Sequence, residues 1–129
     1  MVNDLISQIK NAYLAKKMYI ELPYTKLSED TCSVLAKRGF IENFKVFKNT
    51  NESWRSLRLN LKYDGGGNPA LEDIQAFSRP GLKKYIKSKN ITLVKGGRGM
   101  FIVSTSCGVM SGEEAKKKGL GGEFLCVVY

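Results

Sequence analysis

The chain has 129 residues, room for one domain or two small lobes, and its 43% hydrophobic content is that of a folded protein rather than a disordered one. Its 21 Lys and Arg against 12 Asp and Glu give a net charge of +9, which makes a polyanion the natural partner. No apolar stretch approaches the roughly 20 residues a spanning helix needs and no signal-peptide pattern opens the chain, so a soluble protein working where it is made is expected.

In chain order, Asn3 to Lys17 predicts an amphipathic helix, with Leu5, Ile6, Ile9, Ala12 and Tyr13 on the buried face. Ser7, Lys10, Asn11 and Lys16 fall on the other face, which is rich in donors and cations. Met18 to Leu22 reads as a short strand stopped by Pro23. A second helix is predicted from near Thr25, burying Leu27, Val34 and Leu35 and ending at Lys37 and Arg38 with Gly39 just beyond. Strand signals follow at Phe40 to Phe47 and Trp54 to Tyr63. In the second, Leu57, Leu59, Leu61 and Tyr63 alternate with Arg58, Asn60 and Lys62, the pattern of a hairpin strand with one packed and one wet face.

Asp64-Gly65-Gly66-Gly67-Asn68-Pro69 is the strongest breaker in the chain and marks the expected division into an N-terminal α/β lobe, 1–66, and a β-rich lobe, 67–129. Beyond it, strands are predicted at Asp73 to Phe77, Leu82 to Ile86, Ile91 to Val94, Met100 to Val103 and Glu123 to Tyr129. Pro80-Gly81 suits the centre of a type II turn. Ser111 with Glu114 three residues later is a capping box, which predicts a helix over Gly112 to Lys118 ended by Gly119. The expected class is α+β: a helix-containing first lobe and a mostly β second lobe with one short helix.

Catalytic chemistry is poorly supplied. Histidine is absent, which excludes Ser-His and Cys-His nucleophile pairs. Three widely spaced cysteines, Cys32, Cys107 and Cys126, without a Cys-x-x-Cys pair, point away from metal ligation, and nothing calls for an organic cofactor. The glycine runs Gly96-Gly97-Arg98-Gly99 and Gly119-Leu120-Gly121-Gly122 match neither a Walker loop nor a dinucleotide fingerprint and read as turns.

Binding chemistry is better represented. From Ile74 to Gly112 there is no acidic residue, while Arg79, Lys83, Lys84, Lys87, Lys89, Lys95 and Arg98 fall in that window. A strand through Leu82-Lys83-Lys84-Tyr85-Ile86-Lys87 puts Lys83, Tyr85 and Lys87 on one face, an aromatic ring between ammonium groups. Such a face can stack a base and meet phosphates. It can equally pack Tyr85 on a neighbouring strand while the lysines snorkel. After Met100-Phe101-Ile102-Val103, the triplet Ser104-Thr105-Ser106 sits at the exit of a buried strand, with Gly108 beside it allowing a turn or a close approach to a ligand. Those hydroxyls can read a ribose 2′-hydroxyl or a base edge, or they can bond their own backbone.

The order Ser78-Arg79-Pro80-Gly81-Leu82, Tyr85, Val103-Ser104-Thr105-Ser106-x-Gly108-Val109-Met110, Glu114-Ala115, Gly119-x-Gly121-Gly122-Glu123 and Cys126 closely resembles the bacterial-type small-subunit ribosomal protein eight family. Ile9-Lys10-Asn11-Ala12 and Gly39-Phe40-Ile41 extend the resemblance toward the start, so that it covers essentially the whole chain. It implies a non-catalytic ribosomal protein, in a bacterial cytoplasm or in an organelle encoding its own copy, that binds the central domain of small-subunit rRNA and contacts neighbouring small-subunit proteins. Some bacterial members of the family also bind their own messenger RNA as repressors.

Carried onto this chain, the resemblance makes Ser104, Thr105, Ser106 and Gly108 the RNA-contacting loop and Tyr85 the contact aromatic. Glu123 becomes the carboxylate near that loop, orienting the hydroxyls or accepting from a base amino group. Arg79, Lys83, Lys87 and Gly122 join this surface, and Ser7, Lys10 and Asn11 resemble positions facing another part of the rRNA. Three features depart from the family pattern and suggest a divergent lineage: Cys107 stands where lysine is common, no proline follows Asp4, and the chain ends Val127-Val128-Tyr129. The alternative from another class is a protein-binding adaptor whose basic face meets an acidic partner.

Overall fold

The apolar stripe of the first segment becomes helix α1, Val2–Leu14, in the computed structural model, which describes residues 2–51, 53–76, 84–92 and 98–129. The predicted core face of α1 is the observed one: Leu5, Ile6, Ile9, Ala12 and Tyr13 are all buried. The helix stops three residues short of Lys17, and Lys16 takes a positive φ of 55° as the chain turns into strand β1, Tyr19–Pro23. Tyr13 anchors the helix. Its hydroxyl donates to Phe40 O at 2.6 Å and accepts from Lys62 N at 3.2 Å.

Helix α2, Lys26–Lys37, starts where expected, next to Thr25, which caps it: Thr25 Oγ1 accepts from Ser28 N at 3.0 Å. It ends in a Schellman motif, with Gly39 at φ 79° and Phe40 N donating to Leu35 O at 3.0 Å. Leu27 and Val34 correct the sequence reading. The buried stripe is Ser28, Thr31, Cys32 and Leu35, so Leu27 sits at the surface with 36% exposure and Val34 is only partly buried. The Thr31 hydroxyl tolerates burial because it donates to Leu27 O at 2.8 Å.

Strands β2, Asn43–Phe47, and β3, Ser56–Asn60, form the expected hairpin, β2 starting three residues later than predicted and β3 shorter at both ends. With β1 they make a three-stranded antiparallel sheet in the order β1-β3-β2. Leu57 and Leu59 are fully buried while Arg58 and Asn60 lie on the other face, as the alternation requires. The glycine-rich turn after β3 is organised by Asp64, whose carboxylate accepts from Gly66 N at 2.8 Å and Asn68 N at 2.9 Å. Hydrogen bonds from Asn68, then Gly66, hold its pKa below the usual carboxylate value. The chain falls into two compact units, 1–71 and 72–129.

The second unit is built around strand β8, Gly122–Val128, which pairs on one side with β6, Met100–Thr105, and on the other with β4, Ile74–Ala76, and β5, Tyr85–Ile86. Two expectations change here. Ile91 itself lies outside any strand: it closes a 3-10 turn over Ser88–Asn90 and is buried as a core residue, while Leu93 and Val94 of the expected strand fall outside the described residues. A strand not predicted, β7, Gly108–Ser111, forms a hairpin with β6. The registers Ile102↔Cys126 and Val103↔Phe124 leave Leu125 as an extra residue in β8, a bulge just before the end of the ladder.

Helix α3, Gly112–Lys117, has the predicted cap, Ser111 Oγ accepting from Glu114 N at 3.3 Å. It ends at Gly119, φ 69°, with Leu120 N donating to Ala115 O at 2.8 Å. Ala115 packs with Met110, Ile91, Ile86, Phe101 and Leu120 into a small cluster under one face of the sheet. The mixed α+β class is the predicted one.

Candidate nucleic-acid interface

Opposite the α3 cluster, the other face of the ladder carries the residues singled out in the sequence. Ser104 on β6 is paired with Glu123 on β8, and Glu123 is paired with Tyr85 on β5. Residues opposed in an antiparallel ladder project from the same face, so a hydroxyl, a carboxylate and a phenol ring stand in one row across three strands. Tyr85 is 73% exposed, which excludes the packed alternative for its ring. Ile86, next in the chain, turns instead toward the α3 cluster.

The row lines an open concavity of about 730 Å³ together with Ile86, Lys87, Ser88, Ser106 and the glycines 119, 121 and 122. The glycines at 121 and 122 are required by the closeness of the strands. A Cβ on Gly121 would lie 2.6 Å from Ile86 O and 3.1 Å from Lys87 Cα, and one on Gly122 would overlap the Ser104 carbonyl. Gly119, Gly121 and Ser88 were not among the site residues read from the sequence. The run Gly119-x-Gly121-Gly122 entering a strand was the available signal, since glycine inside a strand marks close backbone approach.

The hydroxyl triplet divides by strand geometry. Ser104 and Ser106 line the concavity, whereas Thr105 alternates away from it and its hydroxyl is committed to the β6–β7 turn. Thr105 Oγ1 donates to Gly108 O at 2.8 Å and accepts from Cys107 N at 3.1 Å. Gly108 itself has φ 115°, a conformation that side chains rarely adopt. Cys107 is exposed at the tip of the turn. The triplet is thus not three equivalent donors: Ser104 and Thr105 end β6 and Ser106 opens the turn, with the two serines lining the concavity while the threonine between them braces the hairpin.

Ser7, Lys10 and Asn11 are exposed on one face of α1, in the first unit. Arg79 and Lys83 fall outside the described residues. Among the described residues no group of three or more His, Cys, Asp or Glu is placed to hold a metal ion. Burial raises the Cys32 and Cys126 thiols to about 12, so neither is a nucleophile at neutral pH.

The arrangement defines a basic, two-unit α+β protein with an open concavity in its second unit. Comparison with known proteins makes this specific. The family model described as ribosomal protein S8 matches residues 1–129. The chain is 40% identical over 129 residues to small ribosomal subunit protein uS8c of Thalassiosira pseudonana, covering 99% of this chain and 96% of that one. It is 37% identical over 129 residues to uS8 of Protochlamydia amoebophila, with the same coverage. It is 42% identical over 127 residues to uS8 of Wigglesworthia glossinidia brevipalpis, covering 98% and 95%. The chain belongs to the ribosomal protein S8 family, structural and non-enzymatic components of the ribosome. Its place is therefore a ribosome, in a bacterial cytoplasm or in an organelle.

Proposed function

We propose that this chain binds small-subunit rRNA directly, gripping an irregular helix of the central domain with the groove of its second unit, and so helps that RNA fold. The observation that carries the reading is the row Ser104–Glu123–Tyr85 set in one concavity with Ser106 and Lys87. Each member has a matching chemistry on folded RNA. The exposed Tyr85 ring offers a stacking surface for a base or ribose. Ser104 and Ser106 offer short donors and acceptors to a 2′-hydroxyl or a base edge. Lys87 meets a phosphate. Glu123, in the middle of the row, accepts from a base amino group or a 2′-hydroxyl, which lets the groove reject RNA that presents only acceptors there.

The exposed face Ser7, Lys10 and Asn11 supplies a second contact with rRNA from the first unit, and other small-subunit proteins meet the remaining surface. A messenger RNA segment that imitates the same helix would occupy the same groove, which is the physical basis for repression of the protein's own synthesis. The test is binding of the purified full chain to the central segment of its small-subunit rRNA and to an unrelated helix of equal length at several salt concentrations. Preference for the cognate segment, with a log–log salt slope of about 0.7–0.9 per phosphate contact, is expected. Equal affinity for both helices would overturn the reading, and binding to an acidic protein in place of RNA would support the adaptor alternative.

A further inference from the structure

We propose that the outer edge of β1 takes an extended segment of another polypeptide as an added strand of the first sheet. Among the described residues β1 pairs with β3 alone, so one of its edges faces no strand. Leu61 N donates to Met18 O at 2.9 Å and Tyr24 N donates to Arg55 O at 3.1 Å, and these two bonds set the phase of the ladder. Hydrogen-bonded and non-hydrogen-bonded pairs alternate in an antiparallel ladder. The backbone groups of Ile20 and Leu22 therefore point to β3, and those of Tyr19, Glu21 and Pro23 point outward. Pro23 has no N–H, which ends the available ladder after Glu21 and limits the register an added strand can adopt.

An open groove of about 560 Å³ runs beside this edge, lined by Gln8 of α1 and by Lys17, Met18, Tyr19, Ile20 and Glu21. Met18 is 69% exposed there, a large apolar side chain left open to solvent in the isolated chain. Lys17 sets a positive charge at one end, while Glu21 at the other is already paired with Arg58 at 3.8 Å. The edge thus fits an extended segment with an apolar residue over Ile20 and Met18 and an acidic residue near Lys17, the backbone supplying affinity and the side chains register. RNA fits worse, because it cannot answer alternating amide N–H and C=O groups in a strand's register. A second copy fits worse because both chains carry +9. The inference goes beyond the RNA reading and does not rest on it: it uses only residues of the first unit.

Hydrogen exchange tests it on the full chain free, bound to small-subunit rRNA alone, and assembled in a reconstituted small subunit. Ile20 and Leu22 amides should exchange slowly in all three states. Tyr19 and Glu21 amides should exchange fast in the first two and slow by about tenfold or more in the particle. Fast exchange in the particle overturns the proposal. Protection on rRNA alone gives the edge to RNA, and protection that grows with the concentration of free protein gives it to a second copy; either overturns it too. A photoreactive benzoyl-phenylalanine in place of Met18 should crosslink to a polypeptide in the particle. Glu21→Pro, which removes an outward N–H together with the Glu21–Arg58 ion pair, should cut that crosslink about tenfold in a chain that still folds, whereas Glu21→Ala, which removes the ion pair alone, should leave it. An undiminished crosslink with Glu21→Pro sinks the assignment. Loss of rRNA affinity in groove variants reads the RNA proposal separately.

Discussion

Ser104 stands directly opposite Glu123 across the β6–β8 ladder, although a hairpin and the whole of α3 separate them along the chain. The pairing places a hydroxyl next to a carboxylate in the concavity, and Tyr85 completes the row on the far side of β8. The bulge at Leu125 is what brings this pair into register. Without that extra residue every side chain of β8 beyond it would exchange faces.

Tyr85 is exposed and its ring is available for stacking, so Tyr85→Ala should change stability by no more than about 0.5 kcal/mol. Affinity for the cognate rRNA segment should fall by roughly 1–3 kcal/mol, while Tyr85→Phe should keep most of it. Thermal unfolding beside a binding titration separates the two effects. An unaltered affinity for Tyr85→Ala would remove the ring from the interface.

Gly122→Ala puts a methyl group into the Ser104 carbonyl and within 3.1 Å of Thr105 Cα, so the β6–β8 ladder must part. A loss of roughly 1–3 kcal/mol of stability is expected, with weaker RNA binding because Ser104 moves. Gly119→Ala meets no atom within 4 Å and suffers only from its φ of 69°. It should cost roughly 1 kcal/mol of stability. Denaturant titration of both variants, with RNA binding measured on the folded protein, checks the contrast.

Thr105→Val removes the two hydrogen bonds that close the β6–β7 turn. Stability should drop by about 0.5–1.5 kcal/mol. Discrimination between cognate and unrelated helices should also weaken, because Ser104 and Ser106 are held by that turn. Thr105→Ser should restore both, since a serine hydroxyl can make the same bonds. A variant that loses discrimination with the turn intact by NMR would mean that Thr105 touches the RNA itself.

Lys87→Gln should weaken binding to every RNA by a similar factor and reduce the salt slope by about 0.7–0.9, as expected when one fewer phosphate is neutralised. Fluorescence titrations against cognate and unrelated RNA at several salt concentrations give both quantities. A change confined to the cognate RNA would make Lys87 a base reader.

The thiols of Cys32 and Cys126 are raised by burial from an ordinary 9.0 to about 12. Between those values the folded state holds protons that the unfolded state has released, so stability is fully present below pH 9 and declines as pH rises toward 12. Each thiol contributes a slope of at most about 1.4 kcal/mol per pH unit in that window. Denaturation at about pH 8 and about pH 10.5 should show the loss, and Cys126→Ala should flatten it. At neutral pH a thiol reagent should modify Cys107 at once and the buried pair only on unfolding.

Local physics wrote much of this fold into the chain. The five-residue stripe of α1 was buried as predicted, because a 3.6-residue period leaves one face for the core. Thr25, Ser111, Gly39 and Gly119 bound their helices as predicted, because caps are satisfied by neighbours a few residues away. The family's motif residues and the basic excess were also plain in the linear order. Leu27, Ile91 and β7 were not. Which of two adjacent helix faces meets a sheet, whether an isoleucine plugs a cluster or extends a strand, and whether Gly108-Val109-Met110 pairs with β6 depend on partners far along the chain.

The site divides in the same way. Residue types alone determined that a stacking ring, short hydroxyls and lysines were present and that histidine-based catalysis was excluded. Only the tertiary structure decided that Ser104, Glu123 and Tyr85 form one row while Thr105 turns away to brace the hairpin. Strand register, the bulge at Leu125 and two glycines without Cβ atoms set that outcome, and each is a relation between segments that no local stretch of sequence contains.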